Sequence, residues 1–209
     1  MLFIIPGFPF ITSGIDLAKL DMRSGMERLM YALIIILVAT MAAWIMALLL
    51  HLKPVDFIKM SMPVEMWILL RLIASFCGVF GFSVMFNSPA RLATMAALIG
   101  AVANTLRLEL VDLAGMPPAV AAFIGALTAG IFASLIKNKA GYPRISLTVP
   151  SIVIMVPGLY LYRGFYNLGI MSLSVAASWF AAAILIIAAL PLGLIFARIL
   201  TDKTFRYCT

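Results

Sequence analysis

Six long apolar runs, joined by loops of a few residues, leave this chain almost no way to fold in water. They span Leu29 to Leu50, Met66 to Phe86, Leu92 to Val111, Pro117 to Ile136, Val149 to Tyr162 and Leu173 to Ala197. A bilayer core about 30 Å thick takes roughly 20 helical residues. All but the fifth run are long enough. Of the 209 residues, 65% are hydrophobic and 11% charged, which excludes a soluble globular domain. The expected fold class is all-α, a polytopic transmembrane helical bundle in contact with the lipid bilayer. The connections are rich in turn formers: Asn87-Ser88-Pro89, Gly115-Met116-Pro117-Pro118 and Lys139-Ala140-Gly141-Tyr142-Pro143.

Two of the apolar stretches are interrupted by the same step. Pro6-Gly7 stands near the start, and Pro157-Gly158 recurs 151 residues later. Proline removes a backbone donor and glycine tolerates unusual dihedrals. In lipid the freed backbone groups need protein or a water-filled cavity around them. Paired broken segments in two halves of a transporter point to its binding site. The fifth run carries Pro150, Pro157 and Gly158 in a short apolar core, so it reads as a half-helix or a broken span. Pro150 is expected to open that helix at its first turn, where a missing N–H costs nothing.

Laid over itself at the same offset, the chain matches its opening segment and first span to its fifth and sixth runs. Leu17 meets Leu168, and Ile35-Ile36 meets Ile186-Ile187. An odd number of crossings separates the copies, so they run in opposite directions, as in the inverted repeats of secondary transporters. The expectation is one five-span repeat plus the tail of an inverted copy, divided as 1–50 and 51–209. Met1 to Phe10 is apolar without a charged leader or cleavage site. It reads as the end of something longer, not as a signal peptide.

Lys and Arg sort the loops. One side collects Lys19, Arg23, Arg28, Arg91, Lys137, Lys139, Arg144, Arg198, Lys203 and Arg206, and the other Lys53, Lys59, Arg107 and Arg163. The first side, with the C-terminus, is expected to be cytoplasmic.

Candidate site residues follow from polar groups at membrane depth, which usually face a bundle interior. A half-helix N-terminus at either break suits a carboxylate, and Ser146, Thr148 and Ser151 offer hydroxyls. The substrate-binding set is Pro6, Gly7, Asn104, Thr148, Pro150, Pro157, Gly158 and Arg163. Arg163 is open between an anion ligand and an interfacial anchor. Asp16, Glu109 and Asp112 are the ion-coupling candidates. Thr105, Glu109 and Asp112 share one helical face, and Asn104 and Arg107 a neighbouring one. Arg107 is open between holding a substrate carboxylate and pairing with Asp112. Arg71 reads as a snorkelling arginine. Asp16 to Arg28 reads as a mixed-charge, mostly solvated loop. Gly78 with Gly81, and Gly125 with Ala129 and Gly130, suit close helix packing. Trp44, Trp67 and Trp179 read as packing or interface residues.

The net charge of +7 comes from residues scattered singly between apolar runs, so no nucleic-acid partner is expected. Cys77 and Cys208 give neither a disulfide framework nor a metal-ligand spacing, and His51 stands alone at a span end. No nucleophile elbow, phosphate loop or dinucleotide fingerprint occurs. No cofactor, metal or enzymatic activity is expected.

The blocks Pro6-Gly7-Phe8-Pro9-Phe10-Ile11-Thr12, Asp16-Leu17, Ser24-Gly25 and Arg28-Leu29 resemble the end of the first half of the threonine/serine exporter family. Thr148-Val149-Pro150 through Val156-Pro157-Gly158-Leu159-Tyr160-Leu161-Tyr162-Arg163-Gly164 resembles that family's second half. The resemblance implies an inner-membrane secondary exporter of two five-span halves, sometimes encoded as two chains. It implies proton-driven export of threonine and serine, or of dicarboxylates such as succinate in two-chain relatives. It implies too that a partner chain or a second copy supplies the missing first-half spans. The expected function is a subunit or fragment of such an exporter, with a small carboxylate-bearing substrate. The alternatives are a dicarboxylate exporter subunit, a non-transporting membrane scaffold and a passive channel.

Overall fold

The structure is a computed structural model that describes residues 6–51 and 62–202, with residues 137–140 described by backbone alone. Lys53, Lys59, Lys203, Arg206 and Cys208, and the side chains of Lys137 and Lys139, lie outside the described residues. So do residues 1–5 of the expected opening segment.

The described residues form eight helices: α1 Gly7–Ala18, α2 Met22–Leu49, α3 Val64–Met85, α4 Ala90–Asp112, α5 Pro118–Ala140, α6 Arg144–Val153, α7 Gly158–Gly169 and α8 Leu173–Thr201. Five are long and apolar enough to cross a membrane, namely α2, α3, α4, α5 over Pro118–Ile136, and α8. α6 and α7 pass the same test only together, bent by 43° at the break between them, which is the form of a broken span or a re-entrant loop. The protein is thus a polytopic helical bundle. Its outer surface is clad in leucine, isoleucine, methionine and valine, as on Ile34, Leu37, Val38, Leu69, Leu98 and Leu185, which suits acyl chains.

Proline and glycine set the boundaries. Pro63, Pro89 and Pro143 precede α3, α4 and α6, where proline's fixed φ favours entry into a helix. Gly115 and Gly141 take positive φ of 63° and 69° in the turns before α5 and α6, a region open to glycine without strain. Pro143 with Gly141 starts α6 earlier than the apolar run suggests. Pro150 therefore lies inside α6 and does not open it.

The stretch Asp16 to Arg28 is not one loop: a turn over residues 19–21 joins the end of α1 to the start of α2. α1 ends at Ala18, and Asp21 caps α2 by accepting from the Ser24 N–H at 3.3 Å.

Small residues bring the helices together. A Cβ at Gly193 of α8 would lie 2.6 Å from the Phe123 carbonyl of α5, and one at Gly130 would lie 2.5 Å from Ala197 Cβ. Gly125 faces the Ala103 carbonyl of α4, and Gly78 faces Ile154. Gly81 faces nothing within 4 Å among the described residues, which do not provide the close packing expected there.

The internal repeat is visible in the backbone. At the offset that separates Pro6 from Pro157, α1 falls on α7 residue for residue, and α2 starts where α8 does. Pro6 (φ −75°, ψ 63°) matches Pro157 (φ −81°, ψ 56°). Leu20 and Met171, equivalent in the two connections, both have φ of 62°. A left-handed φ is rare for leucine or methionine, so the same strained turn is built twice. The contacts are reciprocal as well: α1 packs on α8, and α7 packs on α2.

Candidate functional site

The two breaks meet. A Cβ at Gly7 would lie 3.1 Å from Val156 Cγ2 and 3.2 Å from Val153 Cγ1. Pro6, Gly7, Pro157 and Gly158 are all buried. α1 and α7 therefore both begin inside the bundle, with their positive dipole ends close to one point.

Pro157 has no N–H to continue the ladder of α6. The chain tightens instead: the Met155 N–H donates to the Ile152 carbonyl at 2.9 Å, and the Gly158 N–H to the Val156 carbonyl at 2.9 Å. The Met155 carbonyl, outside this pattern, accepts from Arg107 Nη1 at 3.2 Å. Arg107 thus reaches across from α4 to the interruption. Its Nε is buried with no hydrogen-bond partner, and among the described residues it makes no ion pair.

The same turn of α4 carries two more polar groups. Asn104 is 5% exposed and Thr105 6%. Asn104 Nδ2 donates to Ser75 Oγ of α3 at 2.8 Å. Asn104 Oδ1 and Thr105 Oγ1 have no hydrogen-bond partner among the described residues. Buried polar atoms without partners are costly and uncommon. Here the unpaired atoms crowd one turn beside a broken helix. α6 is fixed against α4 by Ser151, whose Oγ lies 2.9 Å from the Ala96 carbonyl. Gly100 permits that approach, since a Cβ there would lie 2.9 Å from the Ser151 carbonyl.

The other predicted residues fall elsewhere. Glu109 accepts from Arg71 Nη1 at 2.8 Å, and Asp112 accepts from Arg71 Nη2. Arg71 is therefore a clamp between α3 and α4, not a lone snorkelling side chain, and Arg107 does not pair with Asp112. Asp16 pairs with Arg28 Nη1 at 2.8 Å, joining α1 to α2. Arg163 stacks on the Trp179 ring, 4.8 Å from its centroid. Thr148 is buried and donates to the Arg144 carbonyl at 3.2 Å.

A cavity of about 570 Å³ lies between α1, α6 and α8, with Ile15, Ala18, Lys19, Arg144, Thr148 and Arg198 among its lining. Of the predicted binding residues only Thr148 lines it. Arg144 Nη2 donates to the Gly130 carbonyl at 3.0 Å and Nη1 to Thr201 Oγ1 at 3.1 Å, which ties the start of α6 to α5 and α8.

Sequence reasoning did not single out Ser75 or the Met155 carbonyl. Ser75 lies one turn from Arg71, a spacing that marks a shared polar face. A carbonyl leaves no trace in residue type, so only the position of Pro157 two residues on hinted at it.

The comparisons with known proteins agree with this architecture. The family model described as "Threonine/Serine exporter, ThrE" matches residues 71–200. The chain belongs to the threonine/serine exporter family. A second family model, described as "Putative threonine/serine exporter", matches residues 1–50 and so takes in α1 and α2. No curated protein and no solved structure matches the chain. For the exporter, the two matched regions fall on the two reciprocal hairpins, and the match over residues 71–200 also takes in Arg71, Asn104 and Arg107.

Proposed function

We propose that this exporter-family protein moves threonine and serine out of the cell by proton-coupled alternating access, with the substrate carboxylate bound at the meeting point of the two breaks. The observation that carries this reading is Arg107. An arginine inside a transmembrane bundle is costly and marks a functional site by default. Among the described residues Arg107 has no carboxylate partner, and the positive ends of two helices start nearby. A substrate carboxylate supplies the missing charge. Asn104 Oδ1 and Thr105 Oγ1 suit the substrate's ammonium and hydroxyl groups.

Of the three coupling candidates, Asp16 is the one we assign to the proton. It sits on α1, the short helix that leads from the break to the cavity, and it faces a cation, Arg28, at 2.8 Å. Glu109 and Asp112 share Arg71 on the far face of α4 and serve structure.

We further propose the plasma (inner) membrane as the site of action, with the Lys- and Arg-rich side and the end of α8 cytoplasmic. We propose the same division into 1–50, the end of a first exporter repeat, and 51–209, a second. At the repeat offset, the α8 face that grips α5 through Gly193, Phe196 and Ala197 falls on Ala42, Ile45 and Met46 of α2. These three are exposed among the described residues. A helix of a partner chain or of a second copy covers them.

Flux in proteoliposomes tests the reading. Radiolabelled threonine, serine and succinate are loaded separately, and efflux is followed with and without an imposed proton gradient. The expected result is gradient-dependent flux of threonine and serine. Flux of succinate alone assigns the dicarboxylate alternative. Flux that ignores the gradient, or none of any solute, contradicts the proposal.

A further inference from the structure

The repeat offset makes a prediction that the structure breaks at one place. α1 crosses α8, and α7 crosses α2, as reciprocal contacts. Ala18 and Gly169 are equivalent, each the last residue of its short helix. Ile195 and Trp44 are equivalent on the long helices. The two crossings have the same helices, the same entry prolines and the same strained turns after them. They are nevertheless in opposite states.

At the α2–α7 crossing the helices touch. A Cβ at Gly169 would lie 2.2 Å from Trp44 Cε2 and 2.3 Å from Nε1. Only glycine leaves room for the indole. At the α1–α8 crossing the equivalents Ala18 and Ile195 both line the cavity of about 570 Å³. The separation is local: one turn earlier α1 and α8 remain in contact, where a Cβ at Gly14 would lie 2.4 Å from Pro191 Cγ.

Trp44 carries a second sign. Its Nε1–H is buried with no hydrogen-bond partner among the described residues. Indole N–H groups usually find a partner when buried, and an unmade bond raises the energy of the closed contact. A contact that has to open gains from such a penalty.

We propose that Trp44 seated on Gly169 is the outer gate of the transport path, and that Ala18 and Ile195 form the inner gate, open in this structure. The cavity is then the loading vestibule, on the side where Lys19, Arg144 and Arg198 gather. Asp202 also lines the cavity and pairs with Arg198 at 3.8 Å, which leaves the lining net positive and attractive to a carboxylate-bearing solute, and Thr148 stands at the buried wall. Alternating access consists of exchanging the two crossings, with Ile195 closing toward Ala18 as Trp44 lifts from Gly169. This inference rests on the exporter reading for its purpose, but its geometry stands on the repeat.

The test transplants the gate. In a Cys77→Ser, Cys208→Ser background, Thr148→Cys reports access to the vestibule by its reaction with a membrane-impermeant maleimide. Labelling is compared from each face in vesicles of known orientation. The parent reacts from the Lys- and Arg-rich face. Ala18→Gly with Ile195→Trp rebuilds the closed contact on the inner side and slows that labelling by about tenfold or more, the population shift that about 1.4 kcal/mol produces. Adding Trp44→Ile with Gly169→Ala moves labelling to the opposite face. A rate from the inner face within about twofold of the parent in the first variant overturns the proposal. If the transplanted proteins do not fold, Trp44→Ala alone decides: it gains labelling from the outer face, and no gain overturns the gate. Labelling requires no substrate. Gates that switch without flux remove the exporter reading and keep the inference, whereas flux without switching does the reverse.

Discussion

Arg107 Nη1 donates to the Met155 carbonyl at 3.2 Å, and by that bond α4 supplies the charge to a break made by α6 and α7. Helices begun by Pro6 and Pro157 start beside it. In the proposed function this pairing faces the substrate carboxylate, and single substitutions separate its role from that of the surrounding scaffold.

Gly100 and Gly81 differ only in what faces them. Gly100→Ala places a Cβ against Val79 at 2.6 Å and the Ser151 carbonyl at 2.9 Å. Overpacking of this kind costs about 1–3 kcal/mol. Gly81→Ala meets nothing within 4 Å and gains up to about 1 kcal/mol from helix propensity. Thermal unfolding in detergent is expected to fall for the first and to hold or rise for the second.

Arg71 with Glu109 forms a scaffold pair. Arg71→Met is expected to lower stability by about 1–2 kcal/mol, because the cluster is only partly buried. Adding Glu109→Gln costs less than the sum of the two single changes, since they share one interaction. A thermal-unfolding cycle measures the coupling. The Glu109→Gln variant keeps its proton-dependent flux.

Asp16→Asn is expected to separate exchange from driven export. It removes the carboxylate charge while leaving the side chain's shape. Substrate counterflow persists, and the acceleration by an imposed proton gradient is lost. Efflux assays with and without the gradient check this. Retained acceleration moves the coupling role elsewhere.

Pro157→Ala restores an N–H at the break. α6 and α7 can then approach one continuous helix, and the Met155 carbonyl can find a partner within it. Flux is expected to fall about tenfold or more, with thermal stability unchanged or higher. A loss of stability in step with flux marks the proline as a packing residue only.

Much of the fold was legible in the sequence because lipid narrows the choices. Apolar runs gave α2, α3, α4, α5 and α8 to within a few residues, apart from the charged first turns of α2 and the end of α8. Those turns were hidden because Asp21 and Arg28 satisfy themselves through a cap and an ion pair, which composition reads as solvent. Pro6-Gly7 and Pro157-Gly158 announced the breaks and the offset between them. The position of Pro150 inside α6 was not legible, since its entry is set by Gly141 and Pro143 further upstream.

The site was less legible. Asn104 drew attention as a deep polar residue, but its partner Ser75 comes from another helix. Glu109 and Asp112 are coupling candidates in the sequence because spacing puts them on one face. Spacing could not reveal that Arg71 meets both. Trp44 looked like any interfacial tryptophan, and only its seat on Gly169 distinguishes it.

The most direct measurement is equilibrium binding of radiolabelled threonine to the purified protein in lipid nanodiscs, for the parent and for Arg107→Gln, with threonine methyl ester as competitor. Losing one partner of a charge-assisted pair costs about 2–5 kcal/mol. Affinity is therefore expected to fall by about thirtyfold or more in Arg107→Gln, and the ester, which lacks the carboxylate charge, fails to compete with threonine in the parent. Unchanged affinity in Arg107→Gln, or an ester that competes as well as threonine, contradicts a carboxylate held by Arg107 at the break.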